Sequence, residues 1–389
     1  MTIKKIRSKL YWMFYARLMQ FCIKIFYYLP VNQHKIVMLH DFGSGYGDSE
    51  KYLAEEIQKQ HLPYKISWMV NDEKLEIPSF IKKVRLSRIR SIYEFSTAKV
   101  VCTTGKNRFN VKKKKSQFFI YIPHGQSGAK YVEAAMANVT ENYKRNSQWH
   151  SSVCNLFISS SKLQTQEMKD YFWYDGEIAE FGLPRNDIFF HYTQEDIASI
   201  KKKLGIDCHT KIALFAPTFR DNGDFSCYSL NANELLNTLR EITGEDWILL
   251  VRAHPDIHYI TGKSLDFEFS DYIRDVTSYQ DAQRLFLVTD LLITDYSSMM
   301  MDFVLMHKPV LLFATDEQAY VTQRGIRPEY YKLPFPRSKN NHELINNLRA
   351  LNMENPYTDE FFEWYGSKDD GHASERVVDR ILKEAPLCI

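Results

Sequence analysis

The segment 288–309, VTDLLITDYSSMMMDFVLMHKP, constrains the fold more than any other stretch of the chain. An apolar run, 291–293, ends in Thr294-Asp295, and Tyr296-Ser297-Ser298 opens a second apolar segment. This is the pattern of a strand stopping, a tight turn, and a helix starting with hydroxyl side chains. Such a helix start offers unpaired backbone N–H groups and the positive end of the dipole, which suit a phosphate. VRAHP at 251–255 repeats the arrangement: an apolar run delivers Arg252 and His254 to a strand end, and Pro255 stops the strand. Two such strand ends in one half of a chain point to a nucleotide or pyrophosphate substrate.

From residue 35 onward, short apolar runs alternate with helical patterns. Strands are expected at 35–40, 65–70, 82–87, 98–104, 117–125 and 155–161, then at 211–219, 247–255, 290–298 and 309–315. Helices are expected at 49–60 and 193–206, and near 232–243, 278–286, 299–307 and 341–352. Alternation through both halves predicts an α/β chain of two parallel-sheet domains facing each other across a cleft. Ligands of such sheets sit at the carboxyl ends of the strands. With 389 residues the chain exceeds one ordinary core. The expected division is a leader at 1–30, a first domain at 31–192 and a second domain at 193–389.

Six scattered cysteines form no C-x-x-C pair, which argues against a disulfide framework or a zinc site and fits a reducing interior. Residues 1–40 hold seven Lys/Arg and no Asp or Glu, leaving 43 basic against 48 acidic residues elsewhere. A mildly acidic body disfavours a broad nucleic-acid surface. Arg17 and Lys24 interrupt the aromatic leader, so no apolar run reaches the ~18 residues of a membrane span. Aromatic rings interleaved with Lys/Arg suit a helix lying in an anionic headgroup layer. The alternative is a terminal helix packed on its own protein.

In combination and order, several motifs resemble the CDP-glycerol glycerophosphotransferases of teichoic-acid and capsule synthesis. They are FISSS (157–161), FGLPRND (181–187), APTFRDN (216–222), VRAHP (251–255) and the segment 275–303. KPVLLF (308–313), Tyr320 with RG at 324–325, and DGHASERV (370–377) follow. The resemblance spans roughly 98–380. It implies two Rossmann-like domains of the glycosyltransferase-B type and peripheral association with the cytoplasmic membrane face. It also implies transfer of a polyol phosphate from a CDP-polyol substrate, without a cofactor, to a lipid-linked saccharide or growing polyol-phosphate chain. This chain has Ile122-Pro123-His124-Gly125-Gln126 where the family commonly has Trp-His-Gly-Thr-Pro, and Pro334-Phe335-Pro336 where Pro-Gly-Pro is usual. It is a divergent member by this reading.

His124 ends a strand-like run before Gly125; the family's His-Gly histidine is assigned as the base, and an imidazole near pKa ~6.5 suits that role. On its own sequence it reads first as a histidine bonded to a loop, and the resemblance turns the reading to the base. Arg252 and His254 alternate across Ala253, so both lie on one strand face. His254 suits a second catalytic role, stabilising the charge that develops as CMP leaves, and Arg252 reads either as its phosphate partner or as a structural salt bridge. Ser297, Ser298 and Asp295 read as a helix cap, a phosphate seat, or both, with Asp295 suited to holding a loop, a ribose or polyol hydroxyls. Thr218, Arg220, Arg324 and Arg327 are donor or phosphate candidates, with turns and solvated arginines as the ordinary alternatives. GSGYGD (43–48) lacks the third glycine of a dinucleotide loop. Gly43 and Gly45 are therefore read as lining the acceptor side, with Gly125 and Gln126. Lys112–Lys115 reads first as a solvated turn, and otherwise as a second basic contact with membrane or a polyanionic acceptor. No metal-ligand motif is present in the sequence. The competing functions are a sugar-nucleotide glycosyltransferase of the same architecture and a non-catalytic module that binds anionic polymer.

Overall fold

The computed structural model describes residues 3–40, 45–86, 89–105, 112–218, 220, 226–253, 267–354 and 356–387, with the side chains of 3–13, 16 and 226 left out. Its first sheet contains β1 (Asn32–Leu39), β2 (Lys65–Val70), β3 (Lys82–Arg85), β4 (Ala98–Thr103), β5 (Phe118–Tyr121), β6 (Leu156–Ser159) and β7 (Glu177–Glu180), in the order β3-β2-β1-β4-β5-β6-β7. Its second contains β8 (Lys211–Phe215), β9 (Trp247–Val251), β10 (Ile273–Asp275), β11 (Leu291–Thr294), β12 (Val310–Phe313) and β13 (Arg337–Ser338), in the order β10-β9-β8-β11-β12-β13. Every strand pairing in both sheets is parallel. Helices cover both faces of a parallel sheet, so central strands read as unbroken apolar runs rather than alternating ones. Ile36, Val37 and Met38 on β1 are fully buried, as are Leu291, Leu292 and Ile293 on β11.

Each sheet winds outward in two directions from an internal break, between β1 and β4 in the first and between β8 and β11 in the second. Connections leave such a break on opposite faces, and the loops at the carboxyl ends part to form a crevice. His40 and Thr104 follow β1 and β4 at one crevice; Thr218 and Asp295 follow β8 and β11 at the other.

Three expectations change. The helix expected at 299–307 is the short α-helix Met299–Phe303, continued by a 3-10 turn over Val304–Met306. The second domain does not keep its tail: helix Ala373–Glu384 returns to the first sheet, where Val377, Val378 and Ile381 pack with Ile36, Met38 and Ile120. The hydroxyl of Tyr64 donates to the Ala385 carbonyl at 2.5 Å on the same face. An amphipathic stripe at this spacing needs an apolar surface, and the sequence pattern does not say which domain supplies it.

The third change concerns the lysine run at 112–115, which meets the end of the leader helix. α1 (Ile3–Phe26) ends against α3 (Ile89–Thr97), with Phe26 set edge-on to Tyr93 at 5.9 Å. Lys114 is buried, and its ammonium donates to the carbonyls of Phe26 (3.2 Å), Leu29 (2.6 Å) and Ser96 (2.5 Å). The last carbonyls of a helix lack intrahelical partners, and this lysine supplies one instead of lying in a solvated turn. Burial lowers its pKa.

Candidate active site

β5 ends in the first crevice, and the buried Ile122 and Pro123 lead the chain to His124. The His124 side chain is 64% exposed, and its Nδ1 lies 2.6 Å from Oδ2 of the buried Asp48. Asp48 opens α2 (Asp48–Lys59) with φ 55°, a left-handed conformation uncommon for a side chain of this kind. Its Oδ1 accepts from Arg185 at 3.0 Å and from the Ser49 N–H at 2.7 Å. Burial alone would raise its pKa, but the Arg185 charge, the His124 hydrogen bond and charge, and His40 outweigh burial and hold the carboxyl far below the ordinary range. The anion can only accept, so it takes a hydrogen bond from His124 Nδ1–H, and Nε2 is the proton-accepting nitrogen of the neutral ring.

Arg185, in the 3-10 turn Pro184–Asn186, is 3% exposed and also donates to the His124 carbonyl. Its second terminal nitrogen pairs with Asp302 Oδ2 at 2.8 Å. Asp302 Oδ1 accepts from Gln126 at 2.7 Å and from Asn186 at 3.0 Å. Behind His124 stands His40, ring centroids 6.5 Å apart, with its Nδ1 3.9 Å from buried Glu50. Burial, and then the Asp48 charge, push Glu50 well above the usual carboxylate range.

Gly125 brings the two sequence motifs together. A Cβ there would lie 2.5 Å from Ser298 Oγ and 3.4 Å from its Cβ, so only glycine lets the His-Gly loop rest on the Ser297-Ser298 turn. A Cβ at Gly128 would make only ordinary contacts of 3.5–3.8 Å with Met301, Met300 and Ser298. Ser297 and Ser298 are half-buried, and Ser297 Oγ accepts from the Met299 N–H at 3.4 Å. Ser298 makes no side-chain cap, so the cap-box reading is corrected.

The second crevice is built differently. Asp295, fully buried, accepts from the Thr218 N–H (2.8 Å) and hydroxyl (2.6 Å), from the Tyr296 N–H (2.6 Å) and from Arg220 (2.7 Å). Arg220 also grips Asp316 through Nε at 2.6 Å and NH2 at 2.9 Å, donates to the Thr218 carbonyl, and lies over the rings of Tyr296 and Tyr320. It ties the loops after β8, β11 and β12 together. Arg220, Thr218 and Asp295 therefore hold loops and do not stand free for a phosphate.

Arg327 and Gln126 are corrected in the same sense. Arg327 is buried, donating to Ser127 (2.6 Å), Glu167 and Glu329 (3.2 Å). Gln126 is a buried cross-link that also accepts from Ser160 (3.0 Å) and Tyr365, and so does not line an acceptor site. Arg252 sits at the β9 rim and donates to the carbonyls of Val276 (3.3 Å) and Tyr279. Arg324 ends the helix Glu317–Gln323, half-buried, its N–H bonded to the Tyr320 carbonyl at 2.9 Å. The Gly45 carbonyl accepts from the Trp68 indole at 3.0 Å. His254 and Gly43 lie outside the described residues. Asp207, Cys208 and His209 sit close enough to share a metal ion, but on an exposed turn at the amino end of β8, opposite the carboxyl rim.

Asp48, Arg185 and Asp302 were not singled out in the sequence. Asp48 occupies the place of the missing third glycine in GSGYGD, and Arg185 and Asp302 stand inside motifs whose other residues drew the interest.

The family profile described as CDP-glycerol:poly(glycerophosphate) glycerophosphotransferase matches residues 21–383. A teichoic acid poly(glycerol phosphate) polymerase of Staphylococcus epidermidis is 30% identical over 90% of the chain, which spans about half (51%) of that relative's length. One of Bacillus spizizenii is 26% identical, covering 94% of this chain and 96% of its own. A crystal form of the wall teichoic acid polymerase TagF soaked with CDPG superposes with TM-score 0.82 at 27% identity, over 99% of this chain and 98% of that one. The chain belongs to the CDP-glycerol:poly(glycerophosphate) glycerophosphotransferase family.

Proposed function

We propose that this chain transfers glycerol phosphate, or a related polyol phosphate, from a CDP-linked donor to an acceptor hydroxyl and releases CMP. The observation that carries the reading is His124 itself: exposed to the cleft, fixed at Nδ1 by an ionised carboxylate, and seated by Gly125 against the Ser297-Ser298 turn of the other domain. The acceptor O–H proton passes to His124 Nε2 as the oxygen bonds to the β-phosphorus. The bond from that phosphorus to the bridging oxygen breaks, and its electron pair leaves with CMP. Phosphoryl transfer asks mainly for positioning and charge stabilisation. We assign the latter to the Ser297-Ser298 turn and to His254 beyond Arg252.

The acceptor in this reading is a lipid-linked saccharide or a polyol-phosphate chain, in teichoic acid or capsule synthesis. α1 supports a place on the inner membrane surface: Phe14, Phe21, Ile25 and Tyr28 are exposed beside exposed Arg17 and Lys24, while Lys114 docks the helix end. None of the helices, among the described residues, is long and apolar enough to cross a membrane. The test is CMP release from CDP-glycerol with membrane-extracted acceptor lipid, with CDP-ribitol in parallel. Acceptor-dependent release is expected. Release from neither donor, with the protein folded and acceptor present, would sink the proposal.

A further inference from the structure

One buried guanidinium, that of Arg185, links the loop of His124 to the helix after Ser298. Arg185 donates from one terminal nitrogen to Asp48, the carboxylate that orients His124, and to the His124 carbonyl; from the other it pairs with Asp302, the fourth residue of the helix that follows Ser298. The base and the turn it faces are thus fixed to one planar group, 3% exposed. A guanidinium presents its donors in a rigid fork, whereas a lysine offers one flexible point charge.

The same group shares the negative charge that faces the imidazole. His124 meets Asp48 from α2, His40 from the end of β1 and Arg185 from the 3-10 turn, with Glu50 beside His40 and with Asp302 and Asp369 behind Arg185. Of these, Arg185 touches Asp48, the backbone of His124 and the second domain. An Asp48 carboxylate bound to nothing else would favour the imidazolium strongly, since opposite charges at this separation raise a histidine pKa. A base already protonated accepts nothing.

We propose that Arg185 is the positioning residue of this site: it registers the His124 imidazole against the Ser297-Ser298 turn and weakens the hold of Asp48 on the protonated ring. The inference rests on His124 being the base. Arg185 itself touches no substrate in this scheme.

Two variants separate its two roles. Arg185→Gln removes the charge and the fork. Asp302→Asn keeps Arg185 on Asp48 and places an amide against its other nitrogen, which cuts the tie to the second domain alone. The His124 imidazole is titrated by NMR in the folded full chain, and CMP release is followed against pH. In Arg185→Gln the His124 titration and the acid limb of the rate profile should both rise by roughly one unit or more. In Asp302→Asn the titration should not rise, while the rate falls by about a hundredfold, the scale of a small misplacement.

The NMR titration needs no turnover, so an inactive wild type would sink the transferase reading and leave this inference open to its own test. Should Arg185→Gln not fold, the Asp302→Asn pair of measurements decides. An unshifted His124 titration in folded Arg185→Gln, or a wild-type rate in Asp302→Asn, would overturn the proposal.

Discussion

At the carboxyl rim of the first sheet a histidine stands 64% exposed, with one carboxylate behind it. At the corresponding rim of the second sheet an arginine lies 4% exposed between two carboxylates and under two aromatic rings. Both rims flank the break where a parallel sheet opens a crevice, and both carry polar residues at strand ends. The first leaves a group able to react. The second binds its charges to one another and fixes the loops that would surround a donor. A strand-end arginine is therefore no guide to phosphate binding until its donors are counted, and at Arg220 they are taken up by Asp295, Asp316 and a carbonyl.

The sharpest way to break this contrast is to remove one residue from each rim. His124→Ala should lower CMP release by roughly 10²–10⁴, the range of general acid–base catalysis, and leave the melting temperature near that of the wild type, since the side chain is mostly in solvent. Arg220→Met should do the reverse. It strands two carboxylates in a buried setting, which costs about 3–5 kcal/mol, read as a lowered denaturation midpoint. Gly125→Ala tests the contact between the rims: the added Cβ meets Ser298 Oγ at 2.5 Å. A displacement of that size should cost roughly tenfold to a hundredfold in rate, and Ser298→Ala in the same chain should restore part of it by removing the clashing oxygen.

The smallest effect concerns two buried carboxyls near Arg185. Asp48 is held far below its ordinary range, and its contribution to stability is present above the unfolded value, about 3.9, and disappears only in strong acid. Asp369 goes the other way. Burial, then the Asp302 charge, push it up to about 7 against the hydrogen bonds from Leu183 and Asn186. Its folded form binds the proton more tightly than the unfolded chain, so its contribution is full below pH ~4 and is lost as pH rises to 7. Stability of Asp369→Asn should lack that downward slope, as read by denaturant midpoints at pH 5 and pH 8; an identical slope in both proteins would remove Asp369 as its source.

Much of the architecture was legible because it is written in local patterns. The runs at 36–39, 247–251 and 291–293 are apolar on both faces, and that alone marks buried parallel strands. His124-Gly125 and Ser297-Ser298 were legible as strand-end motifs, though nothing local says that they meet. The tail was misplaced because an amphipathic helix looks the same whichever sheet it covers. Asp48, Arg185 and Asp302 were passed over for a related reason: a buried ion network joins residues distant in the chain, and each member alone looks like a surface charge. Lys114 makes the point in reverse, since a run of four lysines reads as solvated until one proves to be bonded to three carbonyls.

The most direct test of the contrast between the rims is to measure, side by side, the single-turnover rate of CMP release and the melting temperature for His124→Ala and Arg220→Met. A collapsed rate with an unchanged melt for the first, and a lowered melt with a rate within about tenfold of wild type for the second, is the expected pair. A His124→Ala enzyme that turns over at the wild-type rate would contradict it.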